Sequence, residues 1–274
     1  MIKIWDQHLH TEFSGDSETP VMDMINKAKE LGLPGITVTD HSDPEYKEVP
    51  GKFDLDIENY TKTIPEIARR ESTQDFKIYC GIELGLQPHL VKVQEVIAKS
   101  YDFDIIIGSV HQVRTMDPYY KSFYEAMGMK NGYREYYEEM LENVTHFNDF
   151  DTLGHMDYIR RYAVRHLPPE EGEMRFEDYR ELTDEVMKTL IRKDKSLEVN
   201  TGSYRSRLTE PNPSIQYLKR YYELGGRLIT IGADAHKPDT VGDHFDELPE
   251  MLKNIGFKSY FIYEKRVPRE MPLY

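Results

Sequence analysis

The segment GITVTDH, residues 35–41, is an apolar run that ends in an aspartate and a histidine. An amphipathic helical pattern at 21–31 precedes it, and Gly32 ends that helix. The same unit of strand, polar terminus and helix recurs along the chain. Further strands are predicted up to His10 and at 78–83, 104–111, 151–155, 196–200 and 227–236, and further helices at 176–193 and 212–226. Seven strands joined by crossovers predict an α/β fold with a parallel sheet, which closure into a barrel would leave without an edge.

Chemistry-bearing side chains stand where these predicted strands end. His8 and His10 are two residues apart, so both project from the same face of the first strand. The carboxyl ends of all strands of an α/β barrel share one face, where active sites form. Six of the ten histidines and three acidic residues therefore converge there: His8, His10, Asp40, His41, Glu83, His111, His155, Asp234 and His236.

A single histidine at a strand end is usually a structural residue, but their joint occurrence points to metal binding. Imidazoles crowded on one rim would repel one another when protonated, whereas neutral imidazole and carboxylate are ligands of divalent transition metals. Nine candidate ligands exceed one tetrahedral ion, so we expect two or three ions sharing Glu83 or Asp234. Such a cluster supplies hydroxide near neutral pH and neutralises oxyanion charge, and hydrolysis of a phosphate ester is its leading use.

Length, composition and charge limit the class of protein. The chain has 274 residues, 39% hydrophobic and 31% charged, and we expect one barrel domain spanning 1–274. It contains no run of roughly 20 apolar residues that would suit a membrane span. No secretory signal is visible, and the single cysteine, Cys80, cannot form an internal disulfide, so we expect a cytoplasmic protein. The net charge of −14 disfavours nucleic acid as a partner and suits a small substrate that carries positive charge.

Several motifs resemble those of the PHP (polymerase and histidinol phosphatase) superfamily. They are HLH at 8–10, TDH at 39–41, GIE at 81–83, SVH at 109–111, GHMD at 154–157 and DAHKPDTVG at 234–242. The match spans nearly the whole chain in order and is strongest to the stand-alone histidinol-phosphatase branch of histidine biosynthesis. It implies a distorted seven-stranded TIM-like β/α barrel with a trinuclear metal centre at its carboxyl rim. The implied activity is hydrolysis of L-histidinol phosphate to L-histidinol and phosphate.

The resemblance also distributes the ligands among three ions. It implies that the first ion is held by four residues, namely His8, His10, Glu83 and Asp234. Glu83 would bridge to a second ion held by His111 and His155, and the third would take His41 and His236. Many relatives place a histidine where this chain has Asp16, and this harder oxygen ligand would shift the third site from zinc toward manganese or iron.

Phosphate binding and catalysis are expected from residues on the same rim. Arg160 follows the fifth strand and Arg205 the sixth, and a guanidinium suits bidentate phosphate binding. The resemblance supports both residues, although Arg161 and Arg207 are close enough to exchange roles with them. We expect direct attack on phosphorus by a metal-bridging hydroxide, with no protein nucleophile. The residues expected to carry catalysis are Glu83, Asp234, His236 and Asp16, and Asp16, Asp43 or a metal-bound water would protonate the leaving group.

The segment 112–150 is the longest connection and is expected to lie over the active rim. Its tyrosine-rich helical part fits a buried helix face, and its position also permits a lid over the site. Tyr119, Tyr120 and Phe123 are candidates to line the substrate pocket. Three alternative functions stay open: a phosphoesterase for nucleotides, a phosphotyrosine-protein phosphatase of the same superfamily, and a non-catalytic metal-binding scaffold. The sequence does not reveal the oligomeric state.

Overall fold

A computed structural model of the protein describes residues 4–167 and 175–273. The ends of the predicted domain, 1 and 274, and the first three residues of the predicted first strand lie outside the described residues. The fold is α/β, as predicted. Its parallel strands are β1 (Gly35–Val38), β2 (His41–Ser42), β3 (Lys77–Cys80), β4 (Ile82–Gly85), β5 (Ile106–Ser109), β6 (Thr152–Leu153), β7 (Ser196–Asn200) and β8 (Ile229–Gly232).

Two of the predicted strands are each divided in two. The predicted strand at 35–41 forms β1 and β2, and the one at 78–83 forms β3 and β4. β1 pairs with β3, whereas β2, β4, β5, β6, β7 and β8 form one parallel sheet in that order. The two breaks lie at the same height along neighbouring strands, since β1 pairs with β3 before them and β2 pairs with β4 after them. The strands therefore still follow one another around the core in chain order.

The segment from Ile4 to His10 joins the two ends of this series. Asp6 forms a parallel bridge to Ile36, and Leu9 forms one to Ala235. The Thr37 amide donates to the Asp6 carbonyl at 2.8 Å, and the Gln7 amide donates to the Ile231 carbonyl at 3.1 Å. This segment was predicted as a regular strand, but only isolated bridges form. The reason is that the Asp6 carboxylate accepts the backbone amides of Ala233 and Gly242, which replaces the regular pairing.

Helices cover the outside of the strands. They are α1 (Val21–Glu30), α2 (Ile57–Glu71), α3 (Val91–Ser100), α4 (Lys121–Met127), α5 (Met129–His146), α6 (Ile159–His166), α7 (Arg180–Arg192), α8 (Ile215–Glu223) and α9 (Leu248–Ile255). The tyrosine-rich segment forms α5, which buries Tyr133, Tyr136 and Tyr137. Within the described ranges, no helix has the length and apolar character needed to cross a membrane.

An antiparallel hairpin covers the amino-terminal end of the strands. It consists of β9 (Ser259–Glu264) and β10 (Val267–Pro272), which the sequence pattern did not predict. The Tyr260 hydroxyl accepts from the Trp5 amide at 3.1 Å, and the Gln7 side chain donates to the Phe261 carbonyl at 2.8 Å. With this end closed by the hairpin, the candidate ligands lie at the opposite, carboxyl end of the strands.

Candidate metal centre

The structure brings the predicted ligands together at the carboxyl ends of the strands. His8, His10 and Glu83 are completely buried, and His111 and His155 are nearly so. Asp16 and His236 lie at the outer side of the group, with about 30% of each side chain exposed. The assembled set is His8, His10, Asp16, His41, Glu83, His111, His155, Asp234 and His236.

Glu83 lies at the middle of this set. Its Oε2 is 3.1 Å from His8 Nε2, 3.5 Å from His10 Nε2 and 3.0 Å from His41 Nδ1. Its Oε1 is 3.2 Å from His111 Nε2 and 2.9 Å from His155 Nε2. Each carboxylate oxygen therefore faces a different group of imidazoles, which is the arrangement of a ligand that bridges two ions.

Unpaired polar atoms test whether this set fits metal ions. Within the described residues, His8 Nε2, His10 Nε2, His41 Nδ1 and Glu83 Oε2 are buried without a hydrogen-bond partner. Buried polar atoms are normally paired, since an unpaired one costs about 1–3 kcal/mol. The other nitrogen of His8 and that of His10 do have partners, Glu198 and Ser14 respectively. The free atoms thus point at one another, and the set fits divalent cations.

The first group comprises His8, His10 and Asp234, whose ligand atoms lie within 4.8 Å of one another. Asp234 Oδ1 is 3.3 Å from His10 Nε2. Asp234 has a φ of +56°, a conformation that L-residues seldom adopt and that often marks functional sites. Its backbone is fixed there by the amide, which donates to the His8 carbonyl at 2.7 Å.

A second group surrounds the outer edge of the site. His10 stacks between His41 and His236, with ring centroids 4.2 Å from each. Asp16 Oδ2 is 3.2 Å from His236 Nε2 and 3.7 Å from His41 Nε2. The structure therefore places Asp16 beside the two histidines with which the family resemblance grouped it.

His111 and His155 complete the site on the far side of Glu83. The Asp43 carboxylate lies 2.6 Å from His111 Nδ1 and 3.3 Å from His41 Nδ1. Burial opposes the ionisation of Asp43, but the neighbouring imidazoles of His111 and His41 hold its pKa at about 2. Asp43 therefore orients His111 through a hydrogen bond, and its oxygens are near enough to bind an ion together with His111 and His41. Gly85 makes room for it, since a Cβ there would lie 2.0 Å from Asp43 Oδ1.

Glu198 is a residue of the site that the sequence reasoning missed. Its Oε1 lies 2.6 Å from His8 Nδ1, and its Oε2 accepts from the His155 amide at 2.8 Å. A glutamate inside the apolar strand SLEVN is the signal that could have identified it, because a buried charge needs a partner. Gly232 is required beside it, since a Cβ there would lie 2.3 Å from the His8 Cβ and 2.8 Å from Glu198 Oε1.

The arginines near the site differ in the groups that they contact. Arg160 donates to Glu210 at 2.8 Å and does not line the cavity above the ligands. Arg161 does line that cavity, and its guanidinium donates to Asp234 Oδ2 at 2.6 Å and to the Asn200 and Asn212 side chains at 2.5 Å. Arg205 donates to the carbonyls of Ala233 and Asp234 at 2.8 and 2.7 Å. The phosphate-binding roles of Arg160 and Arg205 stay predictions, and Arg161 has the geometry that was expected of Arg160.

A cavity of about 500 Å³ opens above the ligands. Part of its wall is aromatic and includes Tyr119 and Tyr120, but Phe123 does not line the cavity and is buried. The further aromatic residues of the wall are Tyr46, Phe53, Tyr158 and Tyr162.

Asp117 also lines this cavity and accepts from the Tyr46 hydroxyl and the Tyr119 amide. Burial raises the pKa of the Asp117 carboxyl to about 6, although these hydrogen bonds oppose the shift. The cavity therefore combines the candidate metal ligands with a separate carboxylate set among aromatic rings.

Cys80 takes no part in the site. It lies buried on β3, and burial raises the pKa of its thiol. A buried, protonated thiol is a poor nucleophile, which agrees with the expectation that no cysteine attacks the substrate.

Comparisons of the sequence with known proteins agree with a metal-binding site of this kind. The family model described as "PHP domain" matches residues 6–202. A probable histidinol-phosphatase of Clostridium acetobutylicum is 34% identical over 264 residues, which cover 96% of this chain and 98% of the relative. A histidinol-phosphatase of Lactococcus lactis is 31% identical over 260 residues, covering 93% of each chain.

Solved structures agree with these sequence relatives. A crystal structure of histidinol phosphate phosphatase from Lactococcus lactis, complexed with zinc, L-histidinol and phosphate, superimposes with a TM-score of 0.88. It is 27% identical in sequence, and the alignment covers 98% of this chain and 100% of that one. A putative histidinol phosphatase of Listeria monocytogenes, 17% identical with a TM-score of 0.73, has the same fold.

Proposed function

The chain belongs to the PHP domain family, and on that premise we propose that it is a histidinol-phosphatase. The reaction is hydrolysis of L-histidinol phosphate to L-histidinol and phosphate. The relative from Lactococcus lactis, which was solved with zinc, L-histidinol and phosphate, supports the same activity here. Because this is a step of amino-acid biosynthesis, we also propose that the protein acts in the cytoplasm.

One observation carries the proposal: Glu83 stands among five imidazoles directly below a cavity with a separate carboxylate, Asp117. The imidazoles and Glu83 suit the phosphate end of a substrate, because divalent ions held there would neutralise phosphoryl charge and activate water near neutral pH. Asp117 suits a cationic end. L-histidinol phosphate carries a phosphate and an amine in one small molecule.

We propose that the cluster holds two or three divalent ions. His8, His10, Asp234 and Glu83 would hold the first, and Glu83 would share its second oxygen with an ion bound by His111 and His155. His41, His236 and Asp16 would hold a third. Zinc suits the histidine-rich positions, and the carboxylate of Asp16 also admits manganese or iron at the outer one.

Around the reacting phosphate, we assign a phosphoryl-orienting role to Arg161. Its guanidinium lines the cavity and is held by Asp234, Asn200 and Asn212. Because the side chain is already fixed, it loses little conformational entropy when the substrate binds. Asp16 and Asp43 also line the cavity beside His41 and are the carboxylates placed to hold or move a proton for the leaving alcohol.

We assign the alcohol end of the substrate to the aromatic wall. The Asp117 carboxylate would pair with the ammonium group, and Tyr46 would hold the carboxylate in place through its hydroxyl, 2.6 Å from Oδ2. The tyrosine rings would pack against the imidazole. This arrangement disfavours nucleotides, whose sugar and base bring no ammonium to Asp117.

Phosphate release from L-histidinol phosphate tests the proposal. Metal-loaded protein should show a kcat/KM for this substrate at least about a hundredfold above those for p-nitrophenyl phosphate, a nucleotide and a phosphotyrosine peptide. This ratio corresponds to a difference of about 2.7 kcal/mol in transition-state stabilisation. Similar, low values for all four would instead indicate a PHP phosphoesterase with another substrate. No release from any of them with metal bound would favour a non-catalytic scaffold.

A further inference from the structure

The cavity above the metal ligands is lined by two cations, Lys52 and Arg161, among the residues that the structure describes. Arg161 is already paired, since it donates to Asp234 at 2.6 Å and to two asparagines. The Lys52 ammonium forms neither an ion pair nor a hydrogen bond with any described residue. It lies over the face of the Phe53 ring, 4.8 Å from the centroid. Lys52 is thus the cavity cation with its charge free for a ligand.

The backbone of Lys52 is fixed against the metal centre. Gly15 packs so closely on it that a Cβ at Gly15 would lie 1.7 Å from the Lys52 carbonyl oxygen. Gly15 precedes Asp16, a candidate ligand. The loop is closed on its other side by the Asp43 amide, which donates to the Phe53 carbonyl at 3.1 Å. Lys52 is therefore carried by a loop held at two points beside candidate ligands.

The ring beneath the ammonium faces the same centre. Phe53 meets His41 edge to face, with centroids 5.1 Å apart, and packs on Tyr46 at 4.7 Å. A lysine held over an aromatic ring keeps its charge while losing part of its side-chain freedom, which lowers the entropy cost of binding an anion. These contacts place the ring under the ammonium beside His41, and Lys52 lines the same cavity as His41, His236 and Asp16.

We propose that Lys52 binds the phosphoryl group of the substrate and that its ammonium draws the anion into an otherwise acidic cavity. This inference rests on the proposed function, because it adds to that reaction a phosphate contact beside the one assigned to Arg161. The need for such a cation follows from charge: the protein carries a net charge of −14, and Asp16, Asp43, Asp117 and Asp234 all line the cavity. A dianionic substrate approaching them gains from an unpaired cation at the wall.

Lys47 provides a matched control for Lys52. It belongs to the same loop and carries the same charge, but it is exposed and does not line the cavity. The test compares wild type, Lys52→Gln, Lys52→Arg and Lys47→Gln at equal metal content. The measurements are kcat and KM for L-histidinol phosphate, the inhibition constant of inorganic phosphate, and the dependence of kcat/KM on salt concentration.

Lys52→Gln should raise KM and the phosphate inhibition constant about tenfold, as expected for loss of one charge-assisted contact, with kcat nearly unchanged. The kcat/KM of Lys52→Gln should also depend less on salt concentration than that of wild type. Lys52→Arg should restore most of the lost affinity, and Lys47→Gln should give wild-type values in every measurement. Equal KM and phosphate inhibition in the Lys52→Gln and Lys47→Gln proteins would overturn the proposal. If L-histidinol phosphate is not a substrate, phosphate inhibition of p-nitrophenyl phosphate hydrolysis still decides the role of Lys52, so the two failures are distinguishable.

Discussion

His8 Nδ1 lies 2.6 Å from Glu198 Oε1, and both side chains are buried. The contact fixes His8 with Nε2 directed at Glu83 and Asp234, so a carboxylate outside the ligand set orients a ligand within it. The second oxygen of Glu198 accepts the His155 amide, which belongs to a ligand on the other side of Glu83. Glu198 thus connects two of the proposed ion positions.

Glu198→Gln should therefore weaken metal binding without removing a ligand. Loss of the charge beside His8 should lower metal affinity about 10- to 100-fold. The measurement is the metal-to-protein ratio after dialysis against chelators of increasing strength. Glu139→Gln is the control, because Glu139 on α5 is also buried but accepts from the Arg114 backbone amide and does not line the cavity. Equal metal retention by the two variants would contradict the orienting role.

Glu83→Gln should abolish bridging, because an amide offers one neutral oxygen where the carboxylate offers two charged ones. We expect kcat to fall at least about a hundredfold and the bound metal to fall below the wild-type ratio. Metal analysis and phosphate release on the same sample separate the two effects. If Glu83→Gln kept wild-type turnover and a full metal complement, Glu83 would not be a bridging ligand on which the reaction depends.

The neighbouring arginines offer a matched pair. Arg161→Lys should lower kcat/KM about a hundredfold, because a lysine cannot keep the three contacts to Asp234, Asn200 and Asn212. Arg160→Lys should stay within about threefold of wild type, since its partner Glu210 lies outside the cavity. The reverse order in steady-state kinetics would support the phosphate-binding role that the sequence predicted for Arg160.

Asp117 predicts a pH dependence that is specific to the cationic substrate. Burial raises the pKa of its carboxyl to about 6, so the charge that would bind the ammonium forms as pH rises through about 6 and is lost below it. The ratio of wild-type to Asp117→Asn kcat/KM for L-histidinol phosphate should accordingly rise across this range and level off above about pH 7.

p-Nitrophenyl phosphate is the control substrate for this prediction, because it has no ammonium group. With this substrate, the ratio of wild-type to Asp117→Asn kcat/KM should not change with pH. Protonation of the phosphate or of metal-linked groups affects both proteins equally and therefore cancels in the ratio. A flat ratio for both substrates would mean that Asp117 does not meet the ammonium.

The convergence of the candidate ligands was predictable because it depends on local sequence and on one rule of topology. Each candidate except Asp16 follows a predicted strand, and parallel strands around a core bring their carboxyl ends to one face. For this reason His8 Nε2 lies within 4 Å of both Glu83 and Asp234, although both are far from it in the chain. The division of the strands at 35–42 and 77–85 did not disturb the outcome, because the polar residues still follow the apolar runs.

Register and contacts between distant elements could not be read in the same way. Successive residues of a helix point about 100° apart, so which of Arg160 and Arg161 faces the cavity depends on how α6 packs against the strands. The hairpin of β9 and β10 was missed because its stability comes from contacts with Trp5 and Gln7 at the other end of the chain.

The fold class, the position of the candidate ligands at one rim and their chemistry follow from the sequence alone, since they depend on periodicity and residue type. The groups that support the ligands follow only from how the elements pack in three dimensions. Three pairs show this, because the members of each lie on separate segments of the chain: Glu198 beside His8, Asp117 beside Tyr46 and Lys52 beside Gly15. Their contacts depend on distances between packed backbones, which local patterns do not encode, because a side chain acquires its partner only when the barrel closes around it.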